Sequence, residues 1–208
     1  MCVLHAFANA RLQETNHLYP KIKFMKFTRF SLLLLCFVAS NFAGAAQTSI
    51  YMKVLDPTQI NGESTAVLFP NWTEITAFNA GATFQPPGSF GGGASGPAVP
   101  KCFTISMLQD KMAYYLKRKQ FFGTTLTSLQ LDFTKSTQAA PIVYYRVQME
   151  NVYVTAVEEA ATSGNGSVTV NVSFVPERFR YTYWPQNSAG ALGTPVIFGW
   201  NVTTNQTW

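Results

Sequence analysis

The chain has 208 residues, 47% hydrophobic and 12% charged, with a formal net charge of +5. About +4 of that charge lies in the first 45 residues (Arg11, Lys21, Lys23, Lys26 and Arg29 against Glu14), so the remainder lacks the cationic footprint of a nucleic-acid binder. His5, His17, Cys2 and Cys36 lie in the same stretch, which leaves Cys102 as the last cysteine and no histidine for triad, Cys-His or zinc chemistry.

The first element is a leader. Lys26 and Arg29 precede a short apolar run, Phe30 to Ala39, and small residues follow at Ala43 and Ala45. That is the layout of a secretory signal peptide, too short to span a bilayer. The expected start is Met25, the expected signal peptide 25–45, and the expected cleavage point Ala45–Ala46. Residues 46–208 are then a single domain, large enough for one core. With one cysteine left it holds no internal disulfide, and neither a catalytic residue nor a cofactor is assigned to it.

High Val, Tyr, Phe and Thr content with regular turn signals predicts a mostly β domain. Ser49 to Leu55 is the first strand, ended by Asp56-Pro57 and the turn Asn61-Gly62. A second runs from about Trp72 to Thr83. Then comes QPPGSFGGGASGPAVP, in which Gly91, Gly93 and Gly96 fit G-x-G-x-x-G. A dinucleotide loop must follow a strand and open a helix. These glycines sit between prolines and lead into a strand, Lys101 to Met107, so the segment reads as a long connection.

One helix is predicted over SMLQDKMAYYLKRKQFFG, with Ser106 and Gln109 at capping-box spacing and Leu108, Met112, Tyr115 and Leu116 on one face. Gly123 supplies the stop. The Lys117-Arg118-Lys119 run reads as a solvated helix end favoured by the dipole, rather than as a nucleic-acid or membrane contact. Thr127 to Lys135 alternates as a strand.

Two long strands then flank the turn Thr162 to Gly166. Apolar positions are odd from Val143 to Met149 and even from Val152 to Ala156. In the second strand they are even from Val168 to Phe174 and odd from Phe179 to Tyr183. Strand side chains alternate with period two, so each switch requires an extra residue or a change of buried face. The switches near Glu150-Asn151 and Val175-Pro176 predict paired bends in one hairpin, as in a barrel or an orthogonal sandwich. Adjacent Glu158 and Glu159 point to opposite faces and share no site. The aromatics Phe179, Tyr181, Tyr183 and Trp184 read as core or subunit packing, with a stacking platform for sugars or bases as the alternative.

The order of these features resembles the Hcp family, the haemolysin-coregulated proteins of type VI secretion tubes. IYMKVLD, an NGES turn, a Gly-rich loop, FTISMLQDK with its single helix, a long hairpin and the terminal IFGWN carry the resemblance. It implies a β-barrel of two antiparallel sheets with one α-helix, no catalytic site, and a six-membered homo-oligomeric ring. Such rings stack into tubes and hold small effectors, so the implied partners are other copies, secretion-system proteins and cargo. The loop between the second and third strands helps contact neighbours in the family. That implies an interface through Phe84, Pro87, Phe90, Gly92 and Pro97, with Phe198 and Trp200 from the last strand. Family tube proteins are made without a cleaved leader. The leader here therefore favours a secreted or periplasmic bacterial ring protein that does not span the membrane once processed. A tube component and a secreted carbohydrate- or host-surface-binding module are the alternatives.

Overall fold

The computed structural model describes residues 47–83, 99–137, 140–164, 166–187 and 190–208. In chain order these form β1 (Thr48–Leu55), β2 (Gln59–Ile60), β3 (Thr73–Asn79), β4 (Ala82–Thr83), β5 (Val99–Pro100) and β6 (Phe103–Leu108). Helix α1 (Lys111–Phe122) follows, then β7 (Leu126–Lys135), β8 (Ile142–Ala161), β9 (Val168–Tyr183), β10 (Val196–Asn201) and β11 (Gln206–Thr207).

Six of the strands close on themselves. β1 pairs with β3 and β7, β3 with β6, β6 with β9, β9 with β8, and β8 with β7, all antiparallel. The inward positions are the apolar halves of the alternating patterns: Met52 and Val54, Ile105 and Met107, Leu129 and Leu131, Val147 and Met149, Val170 and Val172 are all buried. Met112, Ala113 and Leu116 of α1 join the same core. Closure removes the unpaired edges that an open sheet of these strands would expose.

The predicted bends are present. Burial in β8 passes from Val147 and Met149 to Val152 and Val154, and in β9 from Phe174 and Pro176 to Phe179. Register is unbroken across the switch, with Glu150 opposite Arg178 and Val152 opposite Pro176. Both strands therefore change face at the same height. Asn151 absorbs the change at φ 48, in the left-handed region that Asn tolerates better than most residues. Its Nδ2 donates to Glu177 Oε2 across the pair at 2.6 Å.

Two boundaries differ from expectation. The predicted second strand is cut in two: β3 bulges between Ile75 and Ala77 and ends at Asn79, and β4 pairs instead with β5. The helix begins at Lys111, not at Ser106, which lies inside β6. Asp110 is the N-cap, its Oδ1 accepting from the Met112 N–H at 3.2 Å. The same carboxylate accepts from Thr73 Oγ1 at 3.0 Å and from the Glu63 N–H at 3.2 Å. A cap tied to two other segments outcompetes the local Ser106–Gln109 spacing. At the far end Gly123 sits at φ 62, with its N–H on Gln120 O and the Thr124 N–H on Lys119 O, the predicted glycine stop as a Schellman motif.

Candidate assembly surface

β9 has two partners on the side away from β8. Its first half, Thr169 to Phe174, pairs with β6, while Arg178 to Tyr183 pairs with β10. The hairpin β8–β9 thus outruns the closed ring of strands, and β10 extends it sideways. On one face of this extension lie Phe179, Tyr181 and Tyr183 of β9, opposite Trp200, Phe198 and Val196 of β10. The face begins inside the core, where Phe179 is buried and Trp200 packs on the core cluster. It ends in solvent.

Val196, Ile197 and Phe198 are 64%, 58% and 51% exposed. β11 pairs with β10 at Trp200 and Asn201, and no strand among the described residues pairs with the free side of Val196 to Phe198. An apolar strand edge with unpaired backbone is a template for another strand. Rings stacked across three strands lead up to it. Tyr145 and Tyr181 lie 6.1 Å apart at 7°, and Tyr181 and Phe198 6.4 Å apart at 10°. Burial raises the Tyr145 phenol to about 12, helped by Tyr181 and Tyr144, and raises Tyr181 as well. Both therefore stay neutral at physiological pH, as suits rings packed in an apolar stack.

The opposite face of the same strands is polar. Arg146 grips Asp132 through two hydrogen bonds, Nε to Oδ1 at 2.6 Å and Nη2 to Oδ2 at 2.8 Å. Arg178 forms an ion pair with Glu150 at 2.8 Å. The guanidiniums of Arg180 and Arg178 lie 4.3 and 5.0 Å from the Trp208 ring, which holds the final residues against this face. Gly199 makes that fit, because a Cβ there would collide with the Trp208 carbonyl. The extension is consequently two-faced, apolar on one side and charged on the other.

The expected interface residues divide. Phe198 is on the exposed part of β10, and Trp200 is half-buried beside the core. Phe84, Pro87, Phe90, Gly92 and Pro97 lie outside the described residues, as do the expected cleavage residues Ala45 and Ala46. On either side of segment 84–98, Ala82 pairs with Pro100 and Thr83 with Val99. Sequence reasoning passed over Val196 and Ile197, although the run Val196-Ile197-Phe198 in β10 signals a third apolar residue where alternation needs two. Of the alternative stacking platform, Phe179 and Tyr181 are taken up by packing and Trp184 lies 5.8 Å from Arg146. Glu159 is at an exposed strand end, paired with Lys117 at 2.5 Å. Among the described residues no group of three or more His, Cys, Asp or Glu side chains could hold a metal ion, and no helix is long and apolar enough to cross a membrane.

Solved structures share this architecture. A type six secretion system protein superposes with a TM-score of 0.70 at 20% identity, covering 78% of this chain and all of that one. Hcp1 from Salmonella typhimurium gives 0.60 at 15% identity, covering 77% and 99%. Hcp1 from the E. coli EAEC 042 pathovar, in a doubly substituted form, gives 0.61 at 19% identity, covering 76% and 99%. A comparison with curated proteins gives no match. The family model described as "Type VI secretion system effector, Hcp" matches residues 51–183, from β1 to the end of β9 and so more than half of the sequence; the chain belongs to the Hcp family.

Proposed function

We propose that this chain is a non-catalytic, ring-forming member of the Hcp family, exported through its leader and assembled as a hexamer. The observation that carries the reading is the free apolar edge of β10, which continues the core face of the barrel into solvent. A strand edge of this kind is satisfied when a neighbour supplies the missing backbone partners and apolar cover. Each copy would offer β10 to a different surface of the next, a heterologous contact that generates a ring where the rotation closes. Six copies is the family's own number, and the described fold is compatible with it. The segment 84–98 would reach the neighbouring subunit from the β4–β5 root. Residues 46–208 contain no histidine, which supports a structural role.

Light scattering on the purified protein tests the reading. The expected mass is about six times that of one chain; a strict monomer over a wide concentration range removes it. A second reading, a tube component loaded without export, is favoured by family membership alone. Mass spectrometry separates the two: secreted material should begin near Ala46, whereas a cytoplasmic protein with an intact Met25 end supports the tube.

A further inference from the structure

The outward side of α1 carries the other large apolar surface of the barrel. Residues three and four apart share a helix face, and here that face holds Lys111, Tyr114, Arg118, Phe121 and Phe122, away from the buried Met112, Ala113 and Leu116. Phe121 is 86% exposed, Phe122 72% and Tyr114 65%. Single surface hydrophobics are ordinary, but three large aromatics on one face of a short helix form a patch that a partner would cover.

The charges say which partner. α1 contains no acidic residue and four cations. Lys117 and Lys119, at the border with the barrel, are ion-paired with Glu159 and Asp56. The side chains of Lys111 and Arg118 form no ion pair among the described residues; Arg118 stands between Tyr114 and the two phenylalanines, and Lys111 lies one turn before Tyr114 on the same face. Arg118 lies 6.0 Å from the Tyr115 ring, which leaves its charge uncompensated. Glu63 meets the helix only at its N-terminal end, where it accepts from the Lys111 N–H at 3.3 Å. Toward Gly123 the face is wholly aromatic and cationic.

We propose that this face of α1 docks on an anionic lipid surface, with Phe121 and Phe122 at the boundary of headgroup and acyl chain and Arg118 and Lys111 on the phosphates; for Arg118 this replaces the solvated helix end expected from the sequence, whereas Lys117 and Lys119 are ion-paired to the barrel. Aromatic rings partition to that depth, and basic side chains beside them are drawn to anionic headgroups. A second copy is the poorer occupant, because a two-fold contact through this face would set Arg118 against Arg118. At 12 residues the helix lies along the surface and cannot cross it. With two free cations and three rings the contact is reversible. It stands independently of ring formation.

The test is hydroxyl-radical footprinting of the full chain, which reads each side chain separately. That resolution matters because the apolar run at residues 30–39 could reach lipid by itself. Vesicles of phosphatidylcholine with phosphatidylglycerol should slow oxidation of Tyr114, Phe121 and Phe122 by about fivefold or more, with Tyr183 and Phe198 of the β9–β10 extension unchanged. Neutral phosphatidylcholine vesicles should protect them far less, and Arg118→Glu should abolish the difference. Phe121→Ser with Phe122→Ser, both solvent-exposed and so compatible with folding, should restore Tyr114 oxidation. Unchanged oxidation with anionic vesicles overturns the proposal. Equal protection by neutral vesicles overturns the anionic assignment, and protection that rises with protein concentration in the absence of lipid assigns the face to a second copy.

Discussion

Asp56, just after β1, gathers side chains from two later elements. Tyr115 and Lys119 of α1 both bond to its Oδ2, and Thr127 Oγ1 donates to Oδ1 at 3.4 Å. Burial alone would raise this carboxyl, but the bonds from Lys119 and Tyr115 and the Lys119 charge outweigh it and hold the group below its ordinary 3.8. A depressed carboxyl contributes stability that is present above the unfolded value and lost as pH falls through the folded one. Urea midpoints should therefore drop as pH is lowered below about 4, and Asp56→Asn should flatten that part of the profile while lowering the midpoint at neutral pH. Tyr115 completes the pair from the alkaline side. Burial first, then the bond to Asp56 and its charge, raise the phenol to about 12. Its contribution is full below the ordinary value near 10 and lost between there and about 12. Ultraviolet titration of Asp56→Asn should show one phenol ionising earlier than in the parent. Gly199 offers a test of packing instead of charge. The close approach of Trp208 O admits no Cβ, so Gly199→Ala must push β11 off β10 at a cost of about 2 kcal/mol or more, read as a fall in Tm of roughly 5 °C.

At the scale of elements, local chemistry was legible where it faced no rival. The glycine stop at Gly123 and the alternation of β1, β7, β8 and β9 were readable because period and turn residue agree with the final packing. The helix start was not. Ser106 and Gln109 have the right spacing, but Ser106 is committed to β6, with its Oγ on Asn171 Oδ1 at 2.6 Å. The decisive partners of Asp110 come from residues 37 and 47 positions away. Asp110→Ala should therefore cost more than an isolated cap. About 1 kcal/mol goes with the cap, and a further ~1–2 kcal/mol with the buried Thr73 hydroxyl left without its acceptor. A urea midpoint shift without a change in slope would check it. Asp110→Asn, which keeps an acceptor at the cap, should recover part of the loss.

For the whole molecule, the phase switches read near Glu150-Asn151 and Val175-Pro176 foretold closure, because two strands that change face together must bend together. Partner choice was hidden. Nothing within β9 says that Val170 and Val172 face β6 while Tyr181 and Tyr183 face β10, since both halves alternate in the same way and the difference lies in which strand remains free. That division creates the candidate interface, and it yields the sharpest test of assembly. Val196→Asp with Phe198→Asp places two carboxylates on the exposed apolar edge, where they are solvated in a lone barrel and buried without partners in a ring. The barrel should stay folded, because both positions lie outside the closed set of six strands. Its melting temperature in dilute solution should change little, whereas its mass by light scattering should fall from the multimer to a single chain. A multimer that survives both substitutions would move the contact elsewhere. Deleting Gly88 to Gly96 then becomes the informative experiment, since a ring that outlives that deletion as well is held by neither β10 nor the loop.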